Sequence, residues 1–324
     1  MNFSSFAGND GVKQALSAAF SAGRFPHAVI LQGEPGTGKR TLAALLGKAL
    51  VCRNRDQAPC GVCPSCVRAA AGSHPDLRVV EGSGVSKALN VDTIRAVLED
   101  AYRMPDESLY NVYILNMGTR TLDAAQNKLL KLIEEPPQGA VFILICPSAD
   151  SVLPTIRSRA QIFTLLPLEE AEAAQWLERE KQVDSSRAQE LARLCGGNLG
   201  RMLEELENGG ARRAFEVAVG MVDGMLSPGG HVLLKTAAPL QKDRALFRDV
   251  LARLALIFRD ACVLRSGGET LLGGAPQAAD RLCALPMKRL AHLPTLADQY
   301  REKLERNANG SLLVTCLCAD LLSG

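Results

Sequence analysis

Two clusters of residues could do chemistry. The first is Gly33-Glu34-Pro35-Gly36-Thr37-Gly38-Lys39-Arg40-Thr41. Gly33, Gly38 and Lys39 fit the phosphate-loop pattern G-x-x-x-x-G-K followed by Ser or Thr, except at its last position. Glycines let the backbone curl until its N–H groups face a phosphate. A helix N-terminus adds partial positive charge and Lys39 a full one. The pattern fails where a hydroxyl should ligate Mg²⁺: that residue is Arg40, and Thr41 comes one place late, about 100° further round a helix. The second cluster is Cys52, Cys60, Cys63 and Cys66, spaced C-x₇-C-x₂-C-x₂-C with Pro59, Gly61 and Pro64 between them. Tight turns at those positions let four thiolates converge on one ion, and four thiolates suit tetrahedral zinc. The other six cysteines lie in apolar stretches and read as small core residues.

The elements that must hold these clusters follow from hydrophobic periodicity. Apolar runs at 28–31, 77–81, 111–115, 140–145 and 161–165 read as strands. Helical spacing occupies 10–22, 41–50, 91–102 and 122–135, the last stopped by Pro136-Pro137. Strands alternating with helices predict a mostly parallel sheet covered on both faces. After Leu166-Pro167 the pattern becomes helical. Residues 169–180, 185–194 and 200–207 are short helices, Asn208-Gly209-Gly210 is a boundary, and 244–264, 288–305 and 311–322 are the clearest helices beyond it.

Composition bounds the function classes. The chain has 324 residues, 47% hydrophobic and 4% aromatic, so its cores are built from Leu, Ala, Val and Ile. A net charge of +2 neither requires nor excludes nucleic acid. No apolar run reaches the ~18 residues that span a bilayer. Met1–Asp10 lacks the basic-then-apolar order of a signal peptide, which leads us to expect a cytoplasmic protein with reduced or metal-bound cysteines.

The glycine loop, the four-cysteine insertion after it, the run Leu129-Leu130-Lys131-Leu132-Ile133-Glu134-Glu135-Pro136-Pro137 and Ser158-Arg159 before the fifth strand together resemble bacterial clamp-loader subunits of DNA polymerase III, in the AAA+ clamp-loader family. Asn307-Ala308-Asn309 before the last helix is similar to the C-terminal collar of those proteins. The resemblance implies an α/β AAA+ doubly wound domain with a zinc module over 1–166, a helical lid over 167–207 and an all-α collar over 208–324. A motor subunit of that family carries an acidic pair at the end of the third strand; here those positions hold Asn116 and Met117. Its fourth strand ends in a polar sensor, and here the residues are Cys146-Pro147. With Arg40, three parts of the hydrolysis site are altered, and loss of a positioned general base alone commonly lowers a rate by about 10²–10⁴.

This pattern is similar to the delta-prime type of subunit, which does not hydrolyse ATP. The resemblance implies that Arg159 acts in trans on the ATP of a neighbour, although Ala160 stands where the family's third motif residue is Cys. It implies partners of the gamma/tau and delta types in a five-subunit ring, and through them the sliding clamp and primed DNA. Gly33, Gly36, Gly38, Lys39, Thr41 and Arg201 are the candidate ATP or ADP residues. They form either a retained binding site or a relic, and Arg201, after Gly196-Gly197-Asn198, is either a second sensor or an exposed helical arginine. Zinc on Cys52, Cys60, Cys63 and Cys66 is the expected metal. Two rivals remain: an active gamma/tau-type ATPase, against which Asn116 and Met117 speak, and a zinc-dependent DNA-binding module, for which no Lys/Arg cluster with interleaved aromatics is found.

Overall fold

The computed structural model describes residues 1–82, 89–118, 121, 123–268, 271–306 and 308–323. Leu122, the expected start of a helix, and Asn307, in the collar-like motif, lie outside the described residues. The chain divides into two compact units, Met1–Leu168 and Glu169–Gly324.

The first unit runs α1 (Asp10–Ser21), β1 (Ala28–Gln32), α2 (Lys39–Leu50), α3 (Pro64–Ala70), β2 (Leu77–Val80), α4 (Val91–Ala101), β3 (Asn111–Asn116), α5 (Asp123–Glu134), β4 (Ala140–Cys146), α6 (Pro154–Arg157) and β5 (Gln161–Thr164). Its strands pair in the order β2-β3-β4-β1-β5, every described pair parallel. Alternate residues of a strand point to opposite faces, and the two cores obey this. Val29 and Leu31 pack with Leu16, Phe20, Leu42 and Leu46 of α1 and α2. Ile30 packs on the other face with Ile94 and Val97 of α4 and Leu129 and Leu132 of α5. The central β4 is buried along its whole length, whereas the edge strands β2 and β5 are only partly covered. This is the α/β architecture that the alternating pattern predicts.

In such a sheet every helix returns antiparallel to its strands, so the two edges differ. The carboxyl edge carries the loop between β1 and α2. The amino edge receives the end of α2, where a Cβ on Gly47 would lie 2.7 Å from Leu77 at the start of β2. The cysteine segment, which contains α3, therefore hangs from the amino edge. Helix α3 was not foreseen among the proline-rich turns. Cys63 caps it, its sulfur accepting the Cys66 N–H, and Pro64 occupies the first helical position.

The second unit is helical throughout its described elements: α7 (Glu170–Lys181), α8 (Ser185–Cys195), α9 (Leu199–Asn208), α10 (Gly210–Leu226), α11 (His231–Ala237), α12 (Arg244–Arg265), α13 (Pro276–Leu282), α14 (Met287–Glu305) and α15 (Gly310–Ser323). Its core gathers Met221 and Val222 of α10, Phe247, Leu251, Leu254 and Phe258 of α12, Leu293 and Tyr300 of α14, and Leu317 of α15. Buried Arg253 crosses this unit: it donates to the Leu194 carbonyl at the end of α8 and to the Gly273 carbonyl (3.2 Å), with its guanidinium over the Phe215 ring. Asp260, also buried, accepts the Leu272 and Gly273 N–H groups at 3.0 and 2.6 Å.

One sequence expectation fails here. Cys146, Cys195 and Cys318 are buried, but Cys262 and Cys283 are half-buried and Cys316 is exposed. Helix α15 (Gly-Ser-Leu-Leu-Val-Thr-Cys-Leu-Cys-Ala-Asp-Leu-Leu-Ser) is apolar on nearly every side, so apolar company did not identify its inward face.

Candidate functional site

The glycine loop is built as its spacing predicts. Gly33 follows β1 with φ 145°, and a Cβ there would sit 2.3 Å from the Leu165 carbonyl oxygen, so only glycine fits this close approach. Gly36 and Gly38 also hold positive φ, 90° and 85°, and Gly38 is the N-cap of α2. The loop is closed on itself. Lys39 Nζ donates to the Gly33 and Glu34 carbonyls, each at 2.5 Å, and Thr37 Oγ1 donates to Glu34 O at 2.9 Å. Partial burial lowers the proton affinity of Lys39. Gln32 ties the ends of β1 and β5 to the turn after β4: its Nε2 donates to Thr164 Oγ1 (2.7 Å) and its Oε1 accepts the Ala149 N–H (2.7 Å).

The residues around the loop differ from hydrolytic ones in a physical way. Arg40 points to Glu81, just past β2, at 3.3 Å, both side chains about half-exposed. Thr41 is exposed. Asn116 ends β3, and its side-chain oxygen accepts the Gly118 N–H at 3.3 Å. Met117 is buried among the residues packed beneath the sheet, so its side chain belongs to the core. Burial pushes the Cys146 thiol up to about 11, leaving it neutral beside the Lys39 charge. Arg201 is in the second unit, in the first turn of α9, its N–H donating to the Asn198 cap at 3.2 Å.

The four cysteines of the insertion do come together. Their sulfurs all lie within 4.8 Å of one another, with Cys52 to Cys63 at 3.9 Å and Cys60 to Cys66 at 4.0 Å. A tetrahedron of Zn–S bonds near 2.3 Å has S···S edges of about 3.8 Å. The Cys63 N–H points at Cys60 Sγ and the Cys66 N–H at Cys63 Sγ, each 3.4 Å. Such N–H groups stabilise thiolate sulfur. Burial pushes the Cys66 thiol up to about 12; at Cys63 burial is outweighed by the backbone N–H groups of Cys66 and Arg53, and the thiol falls to about 6. Four adjacent sulfurs ionise together only around a cation, and this group can hold a metal ion.

Arg159 stands elsewhere. The register pairs Val29, near the start of β1, with Gln161, and Gln32, at its end, with Thr164. Arg159 precedes Gln161 and so lies at the amino edge, while the glycine loop leaves the carboxyl edge. Four residues of strand separate them, roughly 13 Å at ~3.3 Å per residue. Arg159 Nη2 is 3.1 Å from Glu134 Oε1, and Nη1 donates to Thr155 O (3.0 Å) and Ser158 Oγ (3.2 Å). The sequence favours a proline-stopped helix end over a general base for Glu134, and an acidic side chain in the last turn of a helix is the available hint to the pair, because it is unfavourable there without a cation.

The family described as DNA polymerase III, delta subunit, matches residues 8–169. The chain is 38% identical over 169 residues to DNA polymerase III subunit gamma/tau of Mycobacterium tuberculosis, covering 51% of this chain and 29% of that protein. It is 32% identical over 191 residues to DNA polymerase III subunit delta' of Escherichia coli, covering 59% of this chain and 57% of that one. The chain thus matches under a third of the first relative's length and a little over half of the second's. A gamma subunit-related protein of Thermotoga maritima overlays 95% of this chain and 98% of its own at 18% identity and a TM-score of 0.44. Because the family match takes in half of its residues, the chain belongs to the DNA polymerase III delta subunit family.

Proposed function

We propose that this chain is a non-motor subunit of a DNA polymerase III clamp loader, which helps to load a sliding clamp onto primed DNA and supplies Arg159 to ATP held by a neighbouring subunit. The observation that carries this is the division of the sheet. The edge with the phosphate loop has Arg40, Asn116 and a core-facing Met117 in place of hydrolytic groups, and the opposite edge presents a half-exposed arginine. As phosphoryl transfer proceeds, charge grows on the γ-phosphoryl and leaving oxygens. A planar guanidinium can reach two of those oxygens at once. Partners are gamma/tau- and delta-type subunits in a hetero-pentameric ring acting in the cytoplasm. Residues 167–207 serve as lid and residues 208–324 as collar. Exposed Val232 and Leu234 on α11 and Leu312 and Leu322 on α15 suit a role in assembly. Among the described residues no helix is long and apolar enough to cross a membrane.

The bound metal is zinc on Cys52, Cys60, Cys63 and Cys66, bracing the insertion. Gly33, Gly36, Gly38, Lys39 and Thr41 make up the nucleotide site of the chain itself, where ATP or ADP binds without turnover. Binding there requires Lys39 to exchange the Gly33 and Glu34 carbonyls for phosphate oxygens.

The test is Arg159→Ala in the reconstituted complex. Ring assembly and metal content are expected to be unchanged. DNA- and clamp-stimulated ATP hydrolysis should fall, though only partly because other interfaces carry their own arginines; in GTPases a finger arginine contributes about 10³–10⁵ at its own site. Arg159→Lys should restore little. Full hydrolysis and loading by the Ala variant would remove the trans role. A gamma/tau-type ATPase is the second reading, favoured by the 38% identity to such a protein; ATP turnover by the isolated chain separates the two.

A further inference from the structure

We infer that Glu134 is a positioning residue for Arg159. This rests on the reading of Arg159 as an arginine that acts on a neighbour's nucleotide. Glu134 is the last residue of α5, and its Oε1 lies 3.1 Å from Arg159 Nη2. On the other terminal nitrogen, Nη1 donates to Thr155 O at 3.0 Å and Ser158 Oγ at 3.2 Å. Three acceptors from two separate segments therefore fix the plane of the guanidinium, while 43% of the arginine side chain stays exposed. A guanidinium has five N–H donors, and these contacts draw on three. The rest of the fork is available to an incoming phosphate.

The placement of Glu134 supports a purpose beyond ending a helix. Helix C-termini carry partial negative charge, so a carboxylate in the last turn is unfavourable unless a cation faces it. Arg159 is that cation. Pro136-Pro137 stop α5 just beyond Glu134, which fixes where the carboxylate stands relative to β4 and hence to the start of β5. An arginine that stabilises a transition state must already point along the right line when its neighbour docks, because its long side chain otherwise loses rotamer freedom at that moment. Glu134 takes that loss during folding of its own subunit. Its role is orientation; it touches neither nucleotide nor reacting atoms.

The experiment uses full-length chain, alone and in the reconstituted clamp-loader complex. In the isolated chain, modification of Arg159 by phenylglyoxal is followed by peptide mass spectrometry. Glu134→Gln is expected to speed it by up to about five-fold, the population shift that an exposed ion pair can hold. In the complex, Glu134→Gln should lower kcat for stimulated ATP hydrolysis by no more than the same factor, leave KM for ATP unchanged, and add nothing to Arg159→Ala in the double variant. Glu134→Asp should recover part of the loss. Three results overturn the inference: an unchanged rate for Glu134→Gln beside an impaired Arg159→Ala; a faster complex, which would make Glu134 a restraint on the arginine; or a double variant clearly slower than Arg159→Ala. If Arg159→Ala itself hydrolyses at the full rate, the trans reading falls and this inference falls with it, an outcome separate from the first three.

Discussion

The two edges of one sheet carry different chemistry. At the carboxyl edge the backbone of a phosphate loop is intact, down to a glycine that no other residue could replace, but its side chains are engaged within the protein or replaced. Lys39 holds the loop's own carbonyls, Arg40 reaches Glu81, and Met117 is core. At the amino edge a cysteine group that can hold a metal ion and a half-exposed arginine are both held in place by hydrogen bonds from their own surroundings. Backbone geometry and catalytic chemistry are therefore separable. The first is kept by packing, as at Gly33 against Leu165. The second depends on a few side chains that can change without disturbing the fold.

The largest effect that tests this contrast is hydrolysis. The isolated chain should turn over ATP far below the ~1 s⁻¹ of an ordinary enzyme. Asn116→Asp with Met117→Glu should leave it there, since Arg40 still holds the metal position and a carboxylate at 117 would enter the core. Motor-like turnover by the wild type would erase the difference between the edges. Next comes the metal. Elemental analysis is expected to find one zinc per wild-type chain and none in Cys60→Ser with Cys63→Ser, a loss that should destabilise the first unit by ~3 kcal/mol, roughly 10 °C in its unfolding midpoint.

Asp76, buried just before β2, gives a smaller and pH-dependent effect. Its carboxylate accepts the N–H groups of Asp106, Glu107 and Ser108 at 2.7, 2.9 and 2.8 Å. Burial acts to raise its pKa, and those three bonds outweigh burial and hold it below the ordinary value. A carboxylate depressed on folding contributes stability above its unfolded value, near 3.9, and that contribution is lost as pH falls through the folded value. Asp76→Asn should therefore weaken the unit by ~1–3 kcal/mol at neutral pH. As pH falls through the folded value the difference should shrink in urea unfolding, because wild-type Asp76 is then becoming protonated as well. Smallest is Arg40→Ala: an exposed pair contributes under ~1 kcal/mol, and urea unfolding should barely shift.

The glycine loop, the cysteine group and the strand–helix alternation were legible because each is written in local spacing. Lys39, Cys60 and Cys63 lie next to the turns that place them, and β1 declares itself by an unbroken apolar run. What stayed hidden depends on crossings between distant segments. No spacing joins Arg40 to Glu81 or Arg159 to Glu134; those pairs exist because α2 begins near the end of β2 and because α5 ends beside the segment before β5. Met117 could be read as a position at a strand end but not as a side chain turned into the core. Helix α3 was masked by prolines that also suit turns.

Arg253 has a mechanical consequence for the second unit. One buried guanidinium is bonded to the end of α8 and to the loop before α13, and it is covered by a ring from α10. To bend α8 away from α12 would strip those carbonyls from a cation that water cannot reach, which costs far more than breaking an exposed contact. A push applied to α8 should therefore carry α12 with it, with little of the displacement absorbed between them.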